Sequence, residues 1–299
     1  MTSRGIINTE RPYCSEWLEA DLQKLFRFFP IFKLNTIGYS FLGKPIYEVK
    51  IGEGSRKIHF NGSFHANEWI TSLILMKWLE DLLKSIQSGV NETITNPTQI
   101  LQEWTISIVP MVNPDGVDLV TIGPPPNNWS TICKSINLGS DDFSQWKANI
   151  RGVDLNNQFP AKWEIEQERK IPKSPAPRDF PGYTQLSEPE ARAMLDLTVT
   201  NEFDRVLAFH SQGEEFYWGY ENYHPEESAY LAQIFEKVSG YKGIEYIDSH
   251  AGYRDWFIQA FQKPGFTIEC GFGENPLPLE QFDKIYEDVK KIILASLMY

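Results

Sequence analysis

The sequence predicts an α/β protein with helices packed around a mixed sheet, and three observations carry that reading. Short apolar runs such as "WTISIVPM" and "GFTIEC" alternate along the chain with longer stretches of helical spacing such as "ESAYLAQIFEKVSG". A chain of 299 residues with 41% hydrophobic and 14% aromatic content can bury one substantial core. No internal repeat, heptad or low-complexity tract divides it, so residues 1–35 read as an N-terminal helical segment packed on a domain spanning 36–299, one compact unit overall.

The elements follow in order. Residues 15–29 read as an amphipathic opening helix, and "IGYSFLGKPIYEVKIG" as β-rich segments broken by Gly38, Gly43 and Pro45. "KIHFNGSF" is a short strand running into "HANEW", and from Trp69 apolar residues at 70, 73, 74, 78, 82 and 86 predict a helix that Gly89 ends. "WTISIVPM" is a buried strand, closed by "NPDG" as a turn. Residues 121–186 are loop-rich, with prolines at 124–126, 172, 175, 177 and 181, and are too long for a simple connector. Ser187 and Glu190 suggest a capping box opening a helix to about residue 200. "RVLAFHS" is a strand ending at His210, "GFTIEC" a strand ending at Glu269, and "LEQFDKIYEDVKKIILASLM" a closing helix.

Bulk chemistry excludes several partners. A formal charge of −12 argues against nucleic acid and anionic membrane surfaces, which need a basic face. No apolar run reaches membrane-spanning length, and the charged N-terminus has no apolar core of a secretory signal, which predicts a cytoplasmic protein if Met1 is the natural start. Cys14, Cys133 and Cys270 are few and odd in number, so neither a disulfide framework nor a thiolate zinc site is supported.

Candidate chemistry lies at the strand ends. His65 and Glu68 are separated by two residues, a spacing expected by chance roughly 0.4 times in such a chain. Alone it proves nothing. However, His65 with Glu68, His210 and Glu269 each follow a predicted strand, and in open α/β sheets the carboxyl ends of strands form the ligand crevice. Two histidines and a carboxylate are a typical three-ligand set for a hydrolytic zinc, and a further buried carboxylate, Glu269, suits a proton carrier. The ordinary readings are a hydrogen-bonding histidine for His210, a salt-bridge partner for Glu269, a plain turn for "NPDG" and a solvated edge for Glu214 and Glu215. The combined ordering favours the metal.

With "GSFHANEW", "VPMVNPDGV", "RGVDLNNQF", "AFHSQG", "AGYRDW" and "FTIECGF" in that order, the chain resembles the M14 zinc carboxypeptidases from about residue 36 to its end. The resemblance implies a mixed, roughly eight-stranded sheet flanked by helices on both faces. It assigns one zinc ion to His65, Glu68 and His210, and to Glu269 the base that takes the proton of the attacking water. Asp154 matches a supporting carboxylate. Where digestive relatives carry an Asn-Arg pair that clamps the substrate's terminal carboxylate, this chain has Asn156 and Asn157, neutral donors that cannot grip an anion as an arginine does. The relatives' closing tyrosine aligns with Ile247, Tyr246 being one residue off. Lys147 or Arg151 stands near the place of the arginine that polarises the scissile carbonyl. Arg254 falls where relatives set side-chain specificity, which implies an acidic group on the substrate; the plain alternative is a surface arginine bonded to Asp255 or Asp248.

"GVDLNNQFPA", "HSQGEEFYWGY" and "DSHAGYRDWFIQ" further resemble the bacterial branch that hydrolyses the γ-D-glutamyl-meso-diaminopimelate bond of peptidoglycan stem peptides. That resemblance implies anionic muropeptide substrates and a cell-wall role such as sporulation. A conventional carboxypeptidase removing acidic C-terminal residues is the alternative, and a zinc-dependent or metal-free binding protein on the same scaffold is a third reading.

Overall fold

The structure is a computed structural model that describes residues 5–89, 94 and 96–299; the first four residues of the expected N-terminal segment lie outside the described residues. Along the chain run α1 (Ser15–Phe28), β1 (Lys33–Tyr39), β2 (Pro45–Ile51), β3 (Arg56–Gly62), α2 (Ile70–Ser88), α3 (Pro97–Glu103), β4 (Trp104–Val109), α4 (Pro114–Thr121) and α5 (Asn128–Ile136). The second half contributes α6 (Trp163–Arg169), α7 (Pro189–Asn201), β5 (Arg205–His210), β6 (Glu215–Tyr217), α8 (Glu226–Ser239), β7 (Lys242–Ile244), α9 (Tyr253–Phe261), β8 (Gly265–Glu269) and α10 (Phe282–Met298).

Eight strands form one mixed sheet in the order β1-β2-β4-β3-β5-β8-β6-β7. The middle four, β4, β3, β5 and β8, are parallel, whereas β1, β2 and β6 pair antiparallel to their inner neighbours. Every residue of β5 is buried. A continuous apolar run of this kind is what a central parallel strand covered on both faces requires. On one face α1, α2, α8 and α10 pack a core that includes Leu22, Leu79, Phe235 and Val289. On the other, α7 and α9 add Met194 and Phe257 to a second core. The expected boundary at residue 35 falls inside β1, and Leu18, Leu22 and Leu25 of α1 belong to the same core as the sheet. No helix among the described residues is long and apolar enough to cross a membrane.

Several local expectations differ from what forms. "NPDG" opens α4 instead of closing a turn: Asn113 accepts Gly116 N at 3.0 Å as the N-cap, and Pro114 occupies the first turn, where its missing N–H costs nothing. Residues 121–186 contain α5 and α6. The Ser187 and Glu190 capping box is absent, because Pro189 begins α7 with Glu188 as N-cap, and Glu190 is buried with its carboxylate on Phe41 N at 3.0 Å. Ser187 donates to Gln158 Oε1 and Glu188 Oε1 instead. Glu215, expected on a solvated edge, is in β6, and Glu214 pairs with Lys284 at 2.5 Å. The three cysteines are free and buried.

Candidate metal centre

The parallel strands β3, β5 and β8 end side by side, and the chemistry sits on those ends. Gly62 of β3 is in register with Phe209 of β5, and His210, the last residue of β5, is in register with Glu269, the last of β8. Beyond β3 the backbone turns through Ser63 at a φ of 50°, held by Thr71 Oγ1 accepting its N–H at 2.8 Å and by a 2.6 Å contact between Ser63 Oγ and Ser72 Oγ. That turn feeds a short 3-10 segment, Ala66–Glu68, which brings Glu68 back beneath His65. The His210 ring stacks on Phe64, with centroids 6.1 Å apart.

Three side chains far apart in sequence thereby converge. Glu68 Oε1 lies 2.8 Å from His65 Nδ1, Glu68 Oε2 lies 2.9 Å from His210 Nδ1, and the two Nδ1 atoms are 3.0 Å apart. Their ligand atoms all fall within 4.8 Å of one another, and all three residues are buried. With Glu68 ionised, protons alone satisfy this triangle poorly. If both Nδ1 atoms carried hydrogens toward Glu68, two N–H groups would face each other at 3.0 Å; with one hydrogen, a lone pair faces a lone pair. His65 Nε2 lies 3.2 Å from Asp154 Oδ1, a contact that makes Nε2 the N–H and leaves Nδ1 bare. A dication among three acceptors resolves every contact at once, so the donor set fits zinc.

The electrostatics agree. Burial pushes the Glu68 carboxyl up, but the imidazoles of His65 and His210 outweigh it and hold it well below the carboxylate range. Asp154 is likewise held low, burial being overcome by His65 and Lys147. Glu269 goes the other way: burial, then the charge of Glu68, pushes it up to about 8. Burial alone would discharge Lys147, but Glu68, Asp154 and Glu269 raise its pKa and keep it an ammonium.

Two cavities flank this centre, of about 320 and 200 Å³, and share Lys147, Tyr217 and Glu269 as their common wall. The smaller contains Asn156, Asn157, Arg254 and Ile247. Asn156 Oδ1 accepts Tyr253 N at 3.0 Å, which ties its amide to the start of α9. Arg254 is only 4% exposed, so the expected alternative of a surface arginine is half right: Asp255 Oδ1 accepts its Nε at 3.0 Å and also its Nη2, but the group is buried, and Asp248 bonds Arg169 instead. Arg254 Nη1 is buried without a protein partner.

Two candidates are not brought here. Arg151 turns away, its guanidinium 4.9 Å over the Phe41 ring and 3.6 Å from Glu188, so of these two candidates only Lys147 lines the cavities beside the centre. Tyr246 is 52% exposed and donates to Asn222 Oδ1 at 2.5 Å; the one-residue offset points Ile247, not Tyr246, into the cavity. Tyr217 was not singled out from sequence. It sits on the three-residue β6, opposite Thr267 of β8, with its hydroxyl 2.5 Å from Glu215 Oε1. The aromatic-polar alternation of "EEFYW" is its only signal.

Comparison with known proteins follows the same lines. The family model Peptidase_M14, zinc carboxypeptidase, matches residues 18–291. The chain is 47% identical over 293 residues to Gamma-D-glutamyl-L-diamino acid endopeptidase 1 of Lysinibacillus sphaericus, covering 98% of this chain and 74% of that protein. It is 45% identical over 298 residues to the uncharacterized protein YqgT of Bacillus subtilis (strain 168), covering 98% and 79%. Among solved structures, bovine thrombin-activatable fibrinolysis inhibitor in complex with tick carboxypeptidase inhibitor shares the fold, with a TM-score of 0.74 at 18% identity over 97% of each chain.

Proposed function

From the premise that the chain belongs to the zinc carboxypeptidase family, and is thus a zinc-dependent peptidase, we propose that it hydrolyses the γ-D-glutamyl-meso-diaminopimelate bond of peptidoglycan stem peptides. The observation that carries the reading is the small cavity beside the metal group, where neutral Asn157 lines the wall and the buried Arg254 offers an unpaired Nη1. An anion site built this way keeps its positive charge but displaces it from the place of an ordinary C-terminal clamp, as a substrate with a different carboxylate arrangement requires. The 47% identity to a γ-D-glutamyl-L-diamino acid endopeptidase supports the same bond.

In this reading His65, Glu68 and His210 hold the metal, with Asp154 orienting His65. Zinc, when bound, supplies a Lewis acid that eases loss of a proton from water and polarises the scissile carbonyl. Glu269 takes the proton from the attacking water and returns it to the leaving amine as the C–N bond breaks. Burial raises the proton affinity of this carboxyl and a bound dication would lower it again, and between those two influences it suits both halves of that transfer. Lys147, an ammonium in the shared wall, balances negative charge developing on the carbonyl oxygen. Residues 5–35 act as part of the same folded unit as 36–299, a reading supported by β1 running across that boundary.

Mass spectrometry of two digests tests the substrate. L-Ala-γ-D-Glu-meso-diaminopimelate should release L-Ala-D-Glu, and a peptide ending in α-linked glutamate should stay whole. Efficient trimming of the second peptide with the first untouched would favour the conventional acidic carboxypeptidase.

A further inference from the structure

The cavity that holds Arg254 contains one more pair of opposite charges than the reaction uses. Its acids are Asp154, Asp179, Asp255 and Glu269, and its cations Lys147, Lys170 and Arg254. Asp154 is committed to His65, and Asp255 to Arg254. Glu269 and Lys147 belong to the metal side of the wall. Lys170 and Asp179 remain.

Their own contact is loose. Lys170 Nζ lies 3.4 Å from Asp179 Oδ1, and the two side chains are 27% and 36% exposed. Asp179 Oδ2 accepts Arg178 Nε at 3.2 Å, so the structure fills about two of the roughly four acceptor positions of this carboxylate, and one of the three donor positions of the ammonium. The wall is nevertheless anchored to the centre, because Asp154 N donates to Phe180 O at 2.8 Å, next in sequence to Asp179. Lys170 closes α6, its N–H on Glu166 O at 3.0 Å. Two opposite charges with spare valence, fixed side by side on a cavity wall, match a ligand head that carries an ammonium and a carboxylate on one carbon.

We infer that Lys170 and Asp179 recognise the zwitterionic end of a diamino-acid side chain on the leaving-group side, Lys170 taking the carboxylate and Asp179 the ammonium. The inference rests on the stem-peptide reading above. Arg254 then remains for the carboxylate nearer the scissile bond. Specificity for diaminopimelate over lysine follows, since lysine places an ammonium at the same carbon without its carboxylate, and leaves Lys170 without a partner.

Three γ-D-glutamyl peptides test this, identical except for the residue after the scissile bond: meso-diaminopimelate, L-lysine with only the ammonium, and 2-aminopimelate with only the distal carboxylate. In the zinc-loaded protein, Lys170→Met should lower kcat/KM roughly tenfold on the diaminopimelate and aminopimelate peptides and leave the lysine peptide within about twofold. Asp179→Asn should do the converse, lowering the diaminopimelate and lysine peptides and sparing aminopimelate. A uniform fall on all three peptides, or none on any, would make the pair a structural brace and overturn the inference, while leaving the stem-peptide reading intact. A wild-type protein that cleaves none of the three but trims a C-terminal glutamate removes that reading, and the inference with it.

Discussion

His210 and Glu269 are register partners across the parallel pair β5 and β8, each the final residue of its strand. The imidazole proposed as a metal ligand and the carboxylate proposed as the proton carrier are therefore set by the sheet ladder itself. Rigid placement of this kind is what proton transfer in hydrolysis needs.

Glu269→Gln keeps the shape of the side chain but cannot accept a proton. Turnover should fall by about 10³, with zinc content by atomic absorption unchanged, since Glu269 is outside the ligand triangle. Full activity in that variant would remove Glu269 from the mechanism.

Asp154→Asn replaces a charged acceptor opposite His65 Nε2 with a neutral amide. Zinc affinity, measured by competition with a chromogenic chelator, should weaken by about 10–100-fold. Wild-type affinity in the variant would show that His65 needs no such support.

Arg254→Met removes the unpaired guanidinium N–H from the small cavity. The loss on an anionic stem peptide should be about 2 kcal/mol in kcat/KM, roughly 30-fold, and should shrink on a peptide whose carboxylates are amidated. Because Asp255 is left without its cation, Tm should be recorded alongside; equal losses on charged and amidated peptides would indicate a structural role.

Glu190 gives a pH dependence unconnected with the metal. Burial, countered in part by the hydrogen bond from Phe41 N, raises its carboxyl to about 7. A folded-state pKa above the unfolded value means that the protonated form is the stable one. The contribution, roughly 3 kcal/mol, is therefore complete below about pH 4.5 and lost as pH rises through 7. Glu190→Gln keeps an acceptor for Phe41 N without the charge, so its urea midpoint should exceed the wild type's at pH 8 and match it near pH 5. Parallel pH curves for the two proteins would refute the assignment.

Long, strongly patterned elements were legible in the sequence: α2 with Gly89 at its end, the buried strands β3, β4, β5 and β8, and the closing helix α10. The same patterning places His65, Glu68, His210 and Glu269, because each follows an apolar strand. Short elements carried by tertiary pairing were not. β6 and β7 have three residues each and owe their existence to β8 and to each other, so Tyr217 on β6 escaped notice. Pro114 reads as a turn signal in the sequence where it begins a helix, since proline serves both ends of that choice. Arg254 shows a further limit: nothing local announces that a guanidinium beside an aspartate is buried, because burial is decided by α9 packing on β8 and β5.

The triangle of His65, Glu68 and His210 joins chain positions about 140 residues apart, and only the finished sheet closes it. Before that closure the polypeptide owns no three-toothed grip, merely the fragment His65 and Glu68. The complete donor set therefore exists only in the folded sheet, and zinc bound there tightens the native state by mass action. Cells starved of the ion would accumulate this enzyme in a folded but more easily opened form, recognisable by faster proteolysis.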